Sequence, residues 1–510
     1  MIVILILMAF ALSFAFAPFP VRFVAYFALI PLISIIPKYN YKKLFGYGFI
    51  FGVVFAFFHL WWLYFLYVPL ELTTKILLYV GVTILFGYLA LYTAVFSVIT
   101  KFLGIGFAPL VWIVLEFIRT KSEIGFPWGF LGYTQTPYIP IVQLSSIFGI
   151  YGLSAWIIWI NLLWYWLFKK KHKLTYLIVL ILSFTIPIIY GLVRIKKQPD
   201  LFKVAIVQPN IPPDEKGDRA SRNQFLNELQ ALVKQASQEK VDMIVLPETA
   251  TLVDITKSEN LSFWLQEIAD SNDVYIFTGT PIYDRDKPAY YNGAVLFVPH
   301  KGYYDSIINE DSSYIIRRLS FDKIYRKIHL VPFSERIPLR DKISLIRRIE
   351  TTDMGNSSAG REFTVFDISD SNKTIPNFSA LICFEAIFPD LARSFTIRGA
   401  NMFVNITNDG WFGKTPGPYQ HCELAILRSV ENGVPLVRSA NNGISLVTDV
   451  YARIIRQSNL FTQGVLVSSV SAPLPSTFYR KHGDILIFFA LGLIFVGFLV
   501  KLVRSVLNRR

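Results

Sequence analysis

Three side chains in this sequence have the types and settings from which a covalent acyl-transfer site can be built: Glu248, Lys327 and Cys383. Cys383 closes the small and apolar run Ser379-Ala380-Leu381-Ile382, which reads as a buried strand, and Phe384 to Pro389 reads as a turn entering a helix. A thiol at such a bend is held rigidly, with backbone N–H groups at hand for a developing oxyanion. Taken alone it is an ordinary core cysteine, the usual fate of free Cys on an apolar strand. Glu248 follows Ile244-Val245-Leu246-Pro247, at the C-terminal end of a buried run, where the active sites of α/β sheets collect. Lys327 opens Lys327-Ile328-His329-Leu330-Val331-Pro332-Phe333-Ser334-Glu335, with a second carboxylate eight residues on.

Separately, a solvated strand end and a basic surface turn explain Glu248 and Lys327. Together the three make a base, a cation for an oxyanion and a nucleophile. Glu248 takes the thiol proton, because the thiolate is the competent form. Lys327, with a backbone N–H near Phe384, stabilises the tetrahedral oxyanion; losing such a donor costs about 3 to 4 kcal/mol in the barrier. Glu248 then returns a proton to the leaving group and later deprotonates an incoming amine. Glu335 and Glu385 read as orienters of Lys327 and of the acceptor, and several carboxylates around one lysine keep it charged.

The elements that must position these groups differ along the chain. Of 510 residues 53% are hydrophobic and 17% charged, against roughly 25% charged in soluble domains. The mean hydropathy is +0.44. The polar residues concentrate between about 195 and 480, which divides the chain into a membrane part and one soluble domain. The net charge of +14 does not indicate nucleic acid, because much of the excess sits in short clusters beside apolar spans. There are two cysteines, Cys383 and Cys422; a disulfide between them would disable the nucleophile, and Cys422 reads as structural. No CxxC or HExxH occurs and the six histidines do not cluster, so no metal and no other cofactor is expected.

Runs long enough to cross a bilayer fall at 2–18, 22–36, 46–68, 76–100, 102–119, 146–168, 174–192 and 484–503. The first lacks the basic flank and small-residue cleavage site of a signal peptide and reads as a membrane helix. With the N-terminus cytoplasmic, the inner segments carry Lys38, Lys42, Lys43, Lys101, Lys169 to Lys173 and the tail Lys501, Arg504, Arg509 and Arg510. The outer loops of the membrane part carry only Arg22, Lys75, Arg119 and Lys121. That bias puts residues 195–482 outside. The expected division is therefore 1–194, a membrane domain of about seven transmembrane helices; 195–482, an extracytoplasmic catalytic domain; and 483–510, a last transmembrane helix with a basic cytoplasmic tail. Glu116 and Arg119, one helical turn apart near the outer end of a span, can pair. The loop Phe126-Pro127-Trp128-Gly129-Phe130-Leu131-Gly132-Tyr133 is aromatic enough for headgroup level.

From Lys203 the pattern changes to short β-rich runs: 204–208, 243–246, 274–277, 294–297, 380–382, 402–404, 436–437 and 465–467. Helix-like stretches at 223–237, 262–269 and 420–430 separate several of them, predicting an α/β domain with sheets packed between helices. The segment Arg340 to Ile349 is basic and amphipathic, readable as a plain surface helix or as a lid that dips into the membrane.

The order Pro247-Glu248, Lys327 before His329-Leu330-Val331-Pro332-Phe333, Cys383-Phe384-Glu385, and then Asn408-Asp409-Gly410-Trp411-Phe412-Gly413 resembles the nitrilase superfamily. With eight membrane spans it is similar to the apolipoprotein N-acyltransferase family within it. The likeness extends through Arg428, Glu431, Arg438, Asn441, Gly443 and the stretch Tyr479 to Asp484. Two departures stand out: Ser334 where the family usually has Gly before Glu335, and Phe384 where Tyr often follows the cysteine. Ser334 would restrict the backbone if that position needs positive φ.

The resemblance implies an αββα sandwich, the Glu248–Lys327–Cys383 triad, and a bacterial inner-membrane enzyme with its catalytic domain on the periplasmic side and both termini cytoplasmic. It implies a phospholipid acyl donor, a diacylated apolipoprotein acceptor, no nucleic acid and a monomer in the bilayer. Trp411, Asn408, Trp128 and Glu116 are the expected substrate-binding residues, with Trp411 lining or capping the acyl pocket. A membrane-anchored amidase, in which water attacks the thioester, would use the same catalytic residues. An inactive scaffold would leave Glu248, Lys327 and Cys383 without a purpose.

Overall fold

The computed structural model describes residues 1–67, 72–169, 172–212, 219–284, 289–300, 303–308, 315–321, 323–338, 357–368 and 374–507. The amphipathic segment 340–349, Lys170, Lys171, Arg509 and Arg510 lie outside the described residues.

Two sheets stack in the soluble part. The first runs in the order Gly464–Ser471, Asp200–Gln208, Met243–Val245, Tyr275–Asp284, Ala289–Phe297 and Ile324–Arg326. Its second, third and fourth strands are parallel and the outer pairings antiparallel. The second sheet runs Ile454–Gln457, Leu446–Thr448, Leu436–Ala440, Met402–Thr407 and Phe378–Ile382, its last three strands parallel. Alternation along the strands decides the layers. Val204, Ile206, Met243, Val245 and Phe277 face the second sheet, where the Phe277 and Phe378 ring centroids lie 5.1 Å apart. Ala205, Val207, Ile244, Leu246 and Ile276 face the other way, onto Phe225, Leu229 and Val233 of helix Arg219–Gln238 and Leu265 of helix Glu259–Asn272. Helices Pro389–Thr396 and Gly417–Asn432 cover the second sheet.

Six of the eight β-rich runs fall within strands of these sheets and the other two, 243–246 and 274–277, overrun theirs by one residue, while the three helix-like stretches fall within helices. The strands Leu446–Thr448 and Ile454–Gln457 and the separate hairpin Tyr303–Ile308 with Ile315–Ser320 carry no apolar run long enough to mark them.

In the membrane part the structure is less regular than hydropathy predicts. Among the described residues five helices are long and apolar enough to span a bilayer: Tyr41–Phe65, Lys75–Leu103, Ser145–Lys169, Lys173–Arg194 and Ile485–Leu507. The runs 2–18, 22–36 and 102–119 form shorter helical pieces instead. The first is helical over Ile2–Ser13, about 18 Å at 1.5 Å per residue; Pro18 and Pro20, which cannot donate to the helix ladder, bar its continuation. The second divides into a 3-10 turn, Arg22–Tyr26, and helix Ile30–Ile35, with Pro31 in its first turn. In the third, Gly104 at φ 110° ends one helix, and Pro109 sits in the first turn of Ala108–Ile118. A hydropathy window registers apolar side chains, not the backbone bonds that proline and glycine remove.

The two parts meet along helix Gly417–Asn432, almost wholly buried. Gln420 Oε1 accepts from the indole N–H of Trp62 at 3.1 Å and of Trp128 at 2.8 Å. Glu423 pairs with Arg22 at 2.5 Å. Arg428 donates to the Tyr133 hydroxyl at 3.2 Å and pairs with Glu431 at 3.2 Å. Glu431 accepts from the backbone N–H of Ile150 at 2.8 Å. That N–H follows a kink at Gly149, whose φ of 64° and ψ of −168° lie in territory nearly closed to other residues. A Cβ there would stand 2.6 Å from the Tyr479 ring, so the absent side chain is the space the ring occupies.

Gly149→Ala therefore adds backbone strain of about 1–3 kcal/mol to a clash with Tyr479. It is expected to lower the melting temperature of the detergent-purified protein by several degrees. Gly81→Ala, whose Cβ would meet nothing within 4 Å, serves as the control and leaves the melt where it was.

Candidate active site

Each expected catalytic residue stands just past a strand. Glu248 follows Met243–Val245, Lys327 follows Ile324–Arg326, and Cys383 follows Phe378–Ile382 as the first residue of a 3-10 helix, Cys383–Ile387. Strand ends free a side chain from the ladder while the sheet fixes its Cα.

Lys327 is 1% exposed and its ammonium lies 2.9 Å from Glu335 and 3.7 Å from Glu248. Burial alone would push its pKa down; the Glu335 and Glu248 carboxylates outweigh that and hold it above the ordinary lysine value. For Glu335, burial is overcome by Lys327 and by hydrogen bonds from Asn292 and the Val331 N–H, so its carboxyl sits below the usual range. Asn292 links the carboxylates, its Nδ2 donating to Glu248 Oε1 at 2.7 Å and to Glu335 Oε1 at 3.0 Å. Glu335 thus orients Lys327, as the sequence suggests.

Glu385 does something else. Its Oε1 accepts from the Tyr325 hydroxyl at 2.7 Å and from the N–H groups of Ile328 at 2.7 Å and His329 at 3.1 Å. Its Oε2 accepts from the Ile382 N–H at 2.8 Å. It holds the backbone around Lys327 to the backbone around Cys383, rather than touching the ammonium. Burial pushes its carboxyl up to about 7, with the Ile382 and Tyr325 hydrogen bonds pulling the other way.

Cys383 is partly exposed and free of any disulfide, as is buried Cys422. Its φ is 51°, a left-handed conformation that costs a non-glycine residue on the order of 1–3 kcal/mol. Burial pushes its thiol up, the Glu248 carboxylate adds to this, and the Lys327 ammonium opposes it. The resting sulfur is accordingly a thiol. The N–H of Phe384 stands in the first turn of the short helix, where backbone donors have no intrahelical acceptor. Thr249 at φ 49° and Phe333 at φ 64° show the same left-handed strain in the two neighbouring loops. The position needing positive φ is thus Phe333, and Ser334 keeps an ordinary conformation beside it.

Behind Cys383 lies a buried polar chain. His421 Nε2 is 3.1 Å from the Cys383 carbonyl oxygen, and its Nδ1 is 2.8 Å from Asp409 Oδ1. Asp409 also accepts from the Thr407 hydroxyl at 2.9 Å and from Arg438 Nη2 at 2.7 Å. Arg438 Nη1 donates to Asn405 Oδ1. Against the cost of burial, the Arg438 guanidinium holds the Asp409 carboxyl far below the usual carboxylate range.

The expected substrate-binding residues separate. Trp128 and Glu116 line one small cavity of about 40 Å³, between Phe51, Phe55, His59, Tyr92 and Arg119. Glu116 and Arg119 form no ion pair; Glu116 Oε1 accepts from Trp112 Nε1 and the Leu131 N–H, and Arg119 donates to the Trp128 carbonyl. Each therefore clasps the aromatic loop instead of its neighbour. Asn408 is buried, its Oδ1 accepting from Asn441 Nδ2 at 3.1 Å. Trp411 is half-buried, and its carbonyl accepts from the Tyr67 N–H at 2.8 Å. Sequence reasoning missed Asn292 and His421. A polar residue interrupting an otherwise apolar strand flags the first; nothing local flags the second.

Two family models match the chain: carbon-nitrogen hydrolase over residues 203–474 and the apolipoprotein N-acyltransferase N-terminal domain over residues 8–163. An apolipoprotein N-acyltransferase of Geobacter metallireducens is 30% identical, over 90% of this chain and 87% of that one. One from Pasteurella multocida is 28% identical, over 97% and 94%. Among solved structures, Saccharomyces cerevisiae Nit3, a member of the nitrilase superfamily, aligns over 57% of this chain and 97% of its own at 18% identity, with a TM-score of 0.39.

The charges around Cys383 set the sign of its reactivity. Alkylation of Cys383 by iodoacetamide, followed by peptide mass mapping, should be slower at pH 7 than for free cysteine and still rising at pH 10. Glu248→Gln removes an anion that opposes the thiolate, so its profile should move to lower pH. Lys327→Met removes a cation that favours the thiolate, so its profile should move to higher pH.

Proposed function

We infer that this chain, which belongs to the apolipoprotein N-acyltransferase family, N-acylates lipoproteins through a thioester on Cys383. The observation that carries the reading is the buried Lys327 ammonium between the Glu335 and Glu248 carboxylates, electrostatically coupled to the Cys383 thiol. In the first half-reaction Glu248 takes the thiol proton and the sulfur attacks an ester carbonyl of a phospholipid. Lys327 and the Phe384 N–H face the charge that develops on oxygen, and as the ester C–O bond breaks Glu248 protonates the departing alcohol. In the second, the α-amine of an S-diacylglyceryl cysteine attacks the thioester; its proton passes to Glu248, the C–S bond breaks and the thiolate is restored. The product is a triacylated lipoprotein.

The apolar helices support a membrane location, and the basic bias of the intervening loops supports a catalytic part on the periplasmic face with both termini cytoplasmic. Such a site reaches substrates that never leave the outer leaflet, and the cavity lined by Trp128 and Glu116 offers apolar surface on that side. Trp411 would cap the acyl chain from the catalytic side. The reading needs a single chain and no cofactor.

Incubation of the purified protein with phospholipid alone should add the mass of one acyl chain, removed by hydroxylamine and absent in Cys383→Ala. Added diacylated lipopeptide should then gain that chain on its N-terminal amine. Release of free fatty acid with the lipopeptide unmodified would turn the reading to a hydrolase, and no adduct with any phospholipid would overturn the thioester.

A further inference from the structure

His421 is not among the residues that the triad chemistry uses, yet it is the side chain nearest to the backbone of the nucleophile from the opposite direction. It is 1% exposed, on a helix wedged between the catalytic sheet and the membrane part. One ring nitrogen addresses Asp409 at 2.8 Å and the other the carbonyl oxygen of Cys383 at 3.1 Å. Asp409 is fixed in turn by Arg438 and Thr407, and Arg438 by Asn405, all completely buried. Trp128, from the aromatic loop of the membrane part, lies over the imidazole with ring centroids 5.6 Å apart and planes 23° from parallel. Phe412 closes the ring's other approach edge-on, at 5.7 Å.

We propose that His421 is a positioning residue for the nucleophile: its Nε2–H, braced by Asp409 and Arg438 and covered by Trp128, holds the Cys383 carbonyl so that the strained bend presents the thiol to Glu248 and Lys327. Three observations converge on it. Cys383 is in a left-handed conformation that nothing intrinsic to cysteine favours, so its surroundings must impose it. Its neighbours Ile382 and Glu385 are tied to each other on one side of the bend, leaving the carbonyl of Cys383 as the handle on the other. The His421 side chain spends both nitrogens on this connection, one on the brace and one on the handle. The same geometry makes Trp128 the point at which the membrane part bears on the catalytic bend, because it stacks on His421 and donates to Gln420 one residue before it.

The two amide isosteres of histidine separate this role from bulk support. Gln places an amide N–H near the Nε2 position and keeps the donor to Cys383; Asn reaches only the Nδ1 position and keeps the contact to Asp409. In single-turnover acylation of the full-length protein by phospholipid, His421→Asn should slow thioester formation by about a hundredfold, the cost of a slightly misplaced reacting group. Its apparent KM for phospholipid should stay within threefold of the parent value. His421→Gln should lose no more than about tenfold. If both variants react at the parent rate, or if Gln falls as far as Asn, the proposal is overturned. It is equally overturned if the Asn variant's loss appears in KM or tracks a lowered melting temperature shared by both variants. An acyl adduct on Cys383 of the parent protein is the control, and its absence would count against the thioester reading and not against His421 alone.

Discussion

One buried carboxylate carries the geometry of the site. Glu385 has no exposure to solvent, and leaving an ionisable group there unsatisfied would be expensive. It is tolerated because four donors converge on it: one hydroxyl, two N–H groups from the loop of the lysine and one from the strand of the cysteine. The two sheets contribute one loop each, so this side chain ties the backbone at Lys327 to the backbone at Cys383. The left-handed bend at Cys383 stands beside the bond from Ile382 to Glu385. Strain at that residue is stored by hydrogen bonds around it, a common arrangement where a backbone must be rigid before substrate arrives.

Charge is distributed with equal economy. Two carboxylates share one ammonium, and Asn292 keeps them from facing each other without a donor between. Glu335 is committed by the Val331 N–H and Lys327, which leaves Glu248 as the carboxylate less encumbered by partners. The electrostatics disfavour a standing thiolate at Cys383. A thiol resists oxidation better than a thiolate does.

Much of this was legible in the sequence, for a definite reason. Glu248 and Cys383 each follow an apolar run, and a strand end is a local pattern; the short strand Ile324–Arg326 before Lys327 carries no such run. Strands with buried runs were equally visible, whereas Leu446–Thr448 and Ile454–Gln457, short and in the latter case exposed, were not. What stayed hidden is long-range. Asn292 meets Glu248 across 44 positions, and His421 meets Cys383 across 38, with no spacing rule to announce either. Glu335 and Glu385 read in the sequence as orienters of Lys327 and of the acceptor, and the carboxylate of Glu385 turns to backbone, a set of contacts with no local pattern. In the membrane part, apolar runs marked the right regions, but Pro18, Pro20, Pro31 and Gly104 decide which become full-length helices.

Helix Gly417–Asn432 belongs to both parts at once. Its residues Gln420, Glu423, Arg428 and Glu431 are polar, and their hydrogen bonds and ion pairs reach Trp62, Trp128, Arg22, Tyr133 and Ile150, none of which belongs to the α/β domain. Amputating the first 194 residues would not yield a soluble catalyst with a spare anchor removed. It would expose a helix whose charges were chosen for partners that are gone, and strip the cover from the histidine behind the nucleophile. The soluble nitrilase-type sandwich has here ceased to be a detachable module. Recombining halves from distant relatives would have to match both surfaces of the one helix.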